Sequence, residues 1–178
     1  MTDFKNICKS VDKIKNKYNE TDPFKLCNNM GILTLFAPMG AGSGSCKGFY
    51  LTQSRIKSIT INSDLSDDLQ RIICAHELGH AVLHENFSGV NAFHDFTLFD
   101  STDKYEYEAN IFAAELLLND DDVLKILSDN ISFFHAACGL YVPAELLDFK
   151  FRILRQKGYD IADAPINAMG NFLKDFKE

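Results

Sequence analysis

The pentapeptide His76-Glu77-Leu78-Gly79-His80 sets two imidazoles four residues apart, with a carboxylate beside the first. On a helix, positions i and i+4 share one face and lie roughly 6 Å apart along the axis, so both rings can bind a single Zn²⁺. Glu77 is then placed as general base for a water activated by the metal, the chemistry that hydrolyses peptide bonds. The flanking residues supply the helix. Leu69, Ile72, Ile73, His76, His80 and Leu83 recur at helical spacing, so the histidines extend an apolar, core-facing stripe. Imidazoles on such a stripe need partners to offset desolvation, and a metal is one. Ser66 is the expected N-cap, with Asp67 and Asp68 in the first turn where the helix dipole favours anions, and the helix should run from Ser66 to Glu85. Gly79 costs a mid-helix position roughly 1 kcal/mol, which points to close approach of another backbone, either sheet or substrate.

Two histidines do not complete a site. Asn86 stands where a third histidine, six residues after His80, would make an all-histidine set. His84 lies roughly 12 Å along the axis from His76, too far for one ion with Zn–N bonds of about 2.0–2.1 Å. It reads as a neighbour of the site or as a helix-end histidine. A carboxylate from a second helix remains. The segment Ser101–Leu118, with Ser101 or Thr102 as N-cap, is rich in Ala, Leu and Glu and apolar almost all round, the mark of a buried helix. Glu106, Glu108 and Glu115 interrupt it, and buried glutamates are rare unless paired or metal-bound. Glu106 and Glu108 differ by about 200° around the helix, so both cannot face one ion, and periodicity does not choose between them.

The elements that must position these groups are short. Asp3–Tyr18 forms an amphipathic helix and Pro23–Met30 a second. Ile32–Ala37, Lys47–Thr52 and Ile56–Asn62 are strands of a small antiparallel sheet. The glycine-rich stretch 38–45 precedes a strand and lacks a GK[ST] ending, so it reads as a flexible hairpin loop, not a phosphate cradle. Lys57–Asn62 leads straight into the active helix and is the candidate edge for a substrate strand. Phe93, Phe96 and Phe99, in the loop Phe87–Asp100, pack in the core or wall a cleft. Asp129–Ala137 and Ala144–Arg155 mimic a helix-turn-helix, but only Lys150, Arg152 and Arg155 are basic, beside Glu145 and Asp148. Two helices covering the core are the better reading. His135 is expected as a satisfied buried histidine, with an extra catalytic donor as the alternative.

Length and an apolar content of 46% suit one domain over 1–178, with helices and sheet in 1–62, the metal-site helices in 63–118 and further helices in 119–178. A net charge of −7 argues against a nucleic-acid grip. No apolar window reaches membrane-spanning length and MTDFKNICKS has no signal-peptide core, so a soluble, cytoplasmic protein is expected. Five irregularly spaced cysteines suit reduced thiols, with Cys74 buried and Cys46, at the loop exit, a candidate for exposure and redox sensing. The sequence leaves the oligomeric state open.

Cys74-Ala75-His76-Glu77-Leu78-Gly79-His80-Ala81-Val82-Leu83-His84, followed by Glu108-Ala109-Asn110-Ile111-Phe112-Ala113-Ala114-Glu115-Leu116-Leu117, resembles the ImmA/IrrE family of zinc metallopeptidases. Lys47-Gly48-Phe49-Tyr50-Leu51 and Ile59-Thr60-Ile61-Asn62 are similar to that family's strands before the active helix, and the likeness covers Asp22 to Arg155. The proline often found after the ELLL run is replaced by Asn119-Asp120. The resemblance implies an α+β, zincin-like fold with a small sheet packed on the active-site helix. It implies His76, His80 and Glu108 as zinc ligands, with Glu106 as fallback, and Glu77 as general base. Glu115 follows as a hydrogen-bond partner of a ligating histidine or as a buried salt-bridge member. Tyr105, Tyr107, His84 and His135 are candidates for an assisting donor. The implied substrate is a protein, a helix-turn-helix repressor of a phage, mobile-element or stress-response circuit. The alternative is a zinc-stabilised anti-repressor that binds its partner without cutting it.

Overall fold

A computed structural model describes residues 4–42, 44–84, 93–94, 104–128 and 131–166. Helix α1 (Phe4–Tyr18) turns its Ile7, Val11 and Ile14 stripe inward. Helix α2 (Pro23–Asn29) starts with proline in its first turn, where no N–H is missed, and Asp22 caps it by accepting from the Lys25 N–H at 2.9 Å. Strands β1 (Leu33–Ala37), β2 (Gly48–Gln53) and β3 (Ile56–Asn62) follow, then helix α3 (Asp67–Leu83), which carries the HExxH residues. A two-residue strand, β4 (Phe93–His94), precedes helices α4 (Lys104–Leu117), α5 (Asp120–Ser128), α6 (Phe133–Gly139) and α7 (Ala144–Gln156).

The sheet is mixed, in the order β1-β3-β2-β4, not wholly antiparallel as expected. Ser54 and Arg55, both at positive φ, close the β2–β3 hairpin with the twist such two-residue turns require. That turn keeps β2 and β3 adjacent, and β1 then pairs with β3 in parallel. As an inner strand, β3 is buried on both faces through Ile59, Thr60, Ile61 and Asn62. Lys57–Asn62 is therefore no edge, and the expectation that it takes up a substrate strand fails. Among the described residues the edges are β1 and β4.

Asn62 ties the glycine-rich loop to the end of β3. Its Nδ2 donates to the Gly40 and Cys46 carbonyls at 2.7 and 2.8 Å, and its Oδ1 accepts from Met39 N at 3.1 Å. Cys46 is buried, with its Sγ on the Gly48 carbonyl at 3.4 Å, so the expected exposed thiol is not found. Cys74 is buried as expected, 3.8 Å from the Cys27 sulfur.

One hydrophobic core runs from α1 to α7. Leu146, Leu147, Phe149, Ile153 and Leu154 of α7 are all buried, so this helix covers the core and cannot enter a DNA groove. Helix α5 has no counterpart in the sequence reading. It is started by Asn119, which accepts from Asp121 N at 2.8 Å, and by three aspartates in its first turn. His135 is exposed on α6, against the expectation of burial. Among the described residues no helix is long and apolar enough to cross a membrane.

Candidate metal centre

Helix α3 is held between the sheet and α4, and two glycines set both distances. A Cβ on Gly48 of β2 would stand 2.5 Å from Ile73 Cγ2 and 3.7 Å from Glu77 Cγ. A Cβ on Gly79 would stand 3.2 Å from Ala109 Cα and from Phe112 Cβ and Cδ1. The close approach inferred from Gly79 is real, and its partner is α4, neither sheet nor substrate. Ser66 takes the N-cap position with extended backbone, but its side chain makes no capping hydrogen bond.

The Gly79–Ala109 crossing decides which side chains of α4 meet the histidines. Glu106 and Asn110 are one turn apart on one face, on either side of Ala109, and both reach His76. Glu106 Oε2 lies 3.2 Å from His76 Nε2, and Asn110 Oδ1 lies 2.8 Å from His76 Nδ1. Glu106 Oε1 lies 3.3 Å from His80 Nε2, and the two Nε2 atoms are 3.2 Å apart. One ligand atom from each of His76, His80 and Glu106 falls within 4.8 Å of the others. Glu108, which the resemblance implied as third ligand, points a different way: its Oε2 sits 3.2 Å from His84 Nε2. The carboxylate beside the two imidazoles is thus the fallback, Glu106, because Glu108 is rotated about 200° from it.

The cluster is dry. His76, Glu77 and His80 are at most 2% exposed, and the Glu106 side chain is 12% exposed. Burial pushes the His80 imidazole down to about 4, with His76 and His84 adding to the effect against Glu106, so His80 is neutral near pH 7. Burial opposes ionisation of Glu106, but the facing His76 and His80 rings, when a proton sits between them and the carboxylate, outweigh it and hold the carboxyl well below the usual carboxylate range, the effect a cation there would have. With Asn110 Oδ1 accepting, His76 carries its proton on Nδ1 and turns the Nε2 lone pair toward Glu106. A lone pair aimed at a carboxylate is unfavourable unless a cation lies between them. Two imidazole nitrogens and one carboxylate are also the donor set of catalytic zinc sites that keep one position open. The residues fit a divalent metal.

The remaining expectations separate. Tyr105 packs edge-on against the His84 ring at 4.9 Å. Tyr107 turns away, against Phe4 and Phe149, and accepts from Arg152 at 3.3 Å. Glu115 is a salt-bridge member, with Lys150 at 2.5 Å and Lys157 at 2.6 Å. Phe96 and Phe99, and the expected caps Ser101 and Thr102, lie outside the described residues. Sequence reasoning missed Asn110. A polar residue one turn from Glu106 on an otherwise apolar helix was the available signal.

A family model described as the IrrE N-terminal-like domain, a peptidase domain, matches residues 27–151. The chain is 37% identical over 141 residues to an uncharacterized immunity region protein 2 of Bacillus phage phi105, covering 79% of this chain and 86% of that protein. It is 25% identical over 172 residues to Metallopeptidase ImmA of Bacillus subtilis (strain 168), covering 93% of this chain and 96% of that protein. With the paired histidines and their carboxylate on two crossed helices, these likenesses place the chain in the ImmA/IrrE family of metallopeptidases.

Proposed function

We propose that this chain is a zinc-dependent endopeptidase that cuts a protein, a helix-turn-helix repressor, in the immunity circuit of a phage or mobile element. The observation that carries the reading is the convergence of His76 Nε2, His80 Nε2 and the Glu106 carboxylate, with Glu77 on the same buried helix. In it His76, His80 and Glu106, not Glu108, hold the metal. Bound there, zinc would lower the pKa of water toward ~7 and polarise the scissile carbonyl. Glu77 takes the proton of the attacking water and hands it to the leaving amine. Asn110 keeps the His76 ring turned to the site. The repressor substrate is supported by the phage relative named for an immunity region and by the Bacillus metallopeptidase. The free cysteines suit a cytoplasmic setting, where such a substrate would be met.

The test is incubation of the zinc-loaded protein with repressors encoded beside it, followed by mass spectrometry of the products. Wild type should give defined fragments, and Glu77→Gln should retain zinc and give none. If Glu77→Gln relieves repression as well as wild type and no fragments form with either, the protein is an anti-repressor and the peptidase reading is wrong.

A further inference from the structure

We propose that Glu108 and His84 are positioning residues: a two-step hydrogen-bond relay from the Glu108 carboxylate through His84 fixes the tautomer of His80 and so keeps its Nε2 free to bind metal. The inference rests on the metal reading above and assigns a role to the two groups that reading leaves aside.

The relay follows from what each group can donate. Glu108 Oε2 lies 3.2 Å from His84 Nε2, and a carboxylate only accepts, so the His84 proton is on Nε2. The neutral ring then offers a lone pair at Nδ1, which stands 3.0 Å from His80 Nδ1. His80 must donate there, which puts its proton on Nδ1 and leaves Nε2 bare, facing Glu106 and His76. The opposite tautomer would point an N–H at Glu106 and close the metal position.

Two contacts hold the relay in place. Lys104 Nζ lies 3.4 Å from Glu108 Oε1, and the Tyr105 ring packs edge-on against His84. His76, His80 and His84 follow one another at four-residue spacing, so the chain of rings runs along a single helical face. Glu106 and Glu108, two positions apart and on different sides of α4, therefore serve the inner and the outer end of the same site. His76 is oriented by Asn110 and His80 by His84–Glu108.

The experiment combines zinc affinity, by competition with a chromophoric chelator, and long-range ¹H–¹⁵N spectra of the histidine rings in the metal-free full chain. Wild-type His80 should show its proton on Nδ1. Glu108→Leu and His84→Phe should mix the His80 tautomers and weaken zinc by about 10–100-fold, while His84→Gln, which keeps an acceptor toward His80, should recover part of the loss. Glu106→Gln should weaken zinc further than any of these. A wild-type His80 protonated on Nε2, or unchanged tautomer and affinity in Glu108→Leu and His84→Phe, overturns the relay while leaving the metal site standing. Loss in Glu108→Leu equal to that in Glu106→Gln, with the His80 tautomer intact, makes Glu108 a ligand and also overturns it. If wild type binds no zinc, the metal reading itself falls.

Discussion

Helix α4 carries a buried glutamate, Glu115, and a largely buried one, Glu106, whose surroundings differ in the source of positive charge. Glu115 faces lysines: Lys150 and Lys157 reach its carboxylate, and Lys15 donates to its backbone carbonyl at 3.0 Å. Asp120 joins them with contacts to Lys150 and Lys157. This network closes with charges that the chain itself supplies. Glu106 faces imidazoles instead, and His80 at least is neutral near pH 7. A carboxylate set against a neutral imidazole is suited to a cation between them. The first cluster is a structural pin, and the second is built for a cation from outside. A residue type and its burial do not separate the two roles; the partners' charge does.

The contrast is sharpest when zinc is added. At about a thousand times its dissociation constant, zinc should raise the unfolding free energy of wild type by about 4 kcal/mol, read from urea curves with and without metal. Glu106→Gln should lose nearly all of that gain and keep its metal-free stability. If Glu106→Gln still gains and Glu108→Gln does not, the inner and outer carboxylates are exchanged. Glu115→Ala should behave in the opposite way. It leaves Lys150, 1% exposed, with only Asp120, and should cost about 3 kcal/mol with or without zinc. Replacing both partners, as Glu115→Leu with Lys150→Met, should return most of the loss, since Lys157 and Asp120 still pair at the surface. A cost that zinc abolishes would show the two clusters to be one system.

The legible part of the site is the part written within one helix. Residues i and i+4 share a face whatever surrounds them, so His76, His80 and Glu77 are readable from spacing alone. The choice between Glu106 and Glu108 depends on how α4 is rotated against α3. That rotation is set by contact of Gly79 with Ala109 and Phe112, which no local pattern contains. Family likeness pointed to the glutamate next to Ala109 and Asn110, and its carboxylate lies against His84. The three main strands were legible within a residue or so, but their order was not. The parallel β1–β3 pairing reflects a hairpin that inserts β3 between its predecessors, a long-range choice driven by burial of Ile59 and Ile61. Glu115 was readable as paired or second to a metal ligand, and only the approach of α7 settles it.

A pH titration of the metal-free protein separates the clusters next. His80 has a folded pKa near 4 against an ordinary 6.5, so the unfolded chain binds its proton more readily. The stability that this group contributes is complete above pH 6.5 and is lost as pH falls toward 4. The loss is up to about 3 kcal/mol. Urea midpoints should fall across that window in wild type, and much less in His80→Gln. A slope that is unchanged in His80→Gln would assign the acid sensitivity elsewhere. The Asp120 carboxyl, held down by Lys150 and Lys157 against its partial burial, responds in a lower window, where carboxylates take up protons.

Gly79→Ala gives the smallest change in stability and the closest test of how the site is positioned. The helix itself gains roughly 1 kcal/mol from the substitution. Against this, the added methyl meets Ala109 Cα and the root of the Phe112 side chain at 3.2 Å, atoms that cannot swing aside as a flexible tip can. Overpacking of that kind costs about 1–3 kcal/mol, so the net loss should be about 1 kcal/mol. The strain is relieved by moving α4 outward by a few tenths of an ångström, and Glu106 rides on α4 one turn from the contact. Zinc affinity should therefore fall further than stability does, while the Glu115 network, two turns away, keeps its ion pairs. The comparison is made between the chelator-competition constant and the metal-free urea midpoint of the same variant. A variant that is more stable than wild type and binds zinc as tightly would show that the Gly79 crossing does not set the ligand geometry.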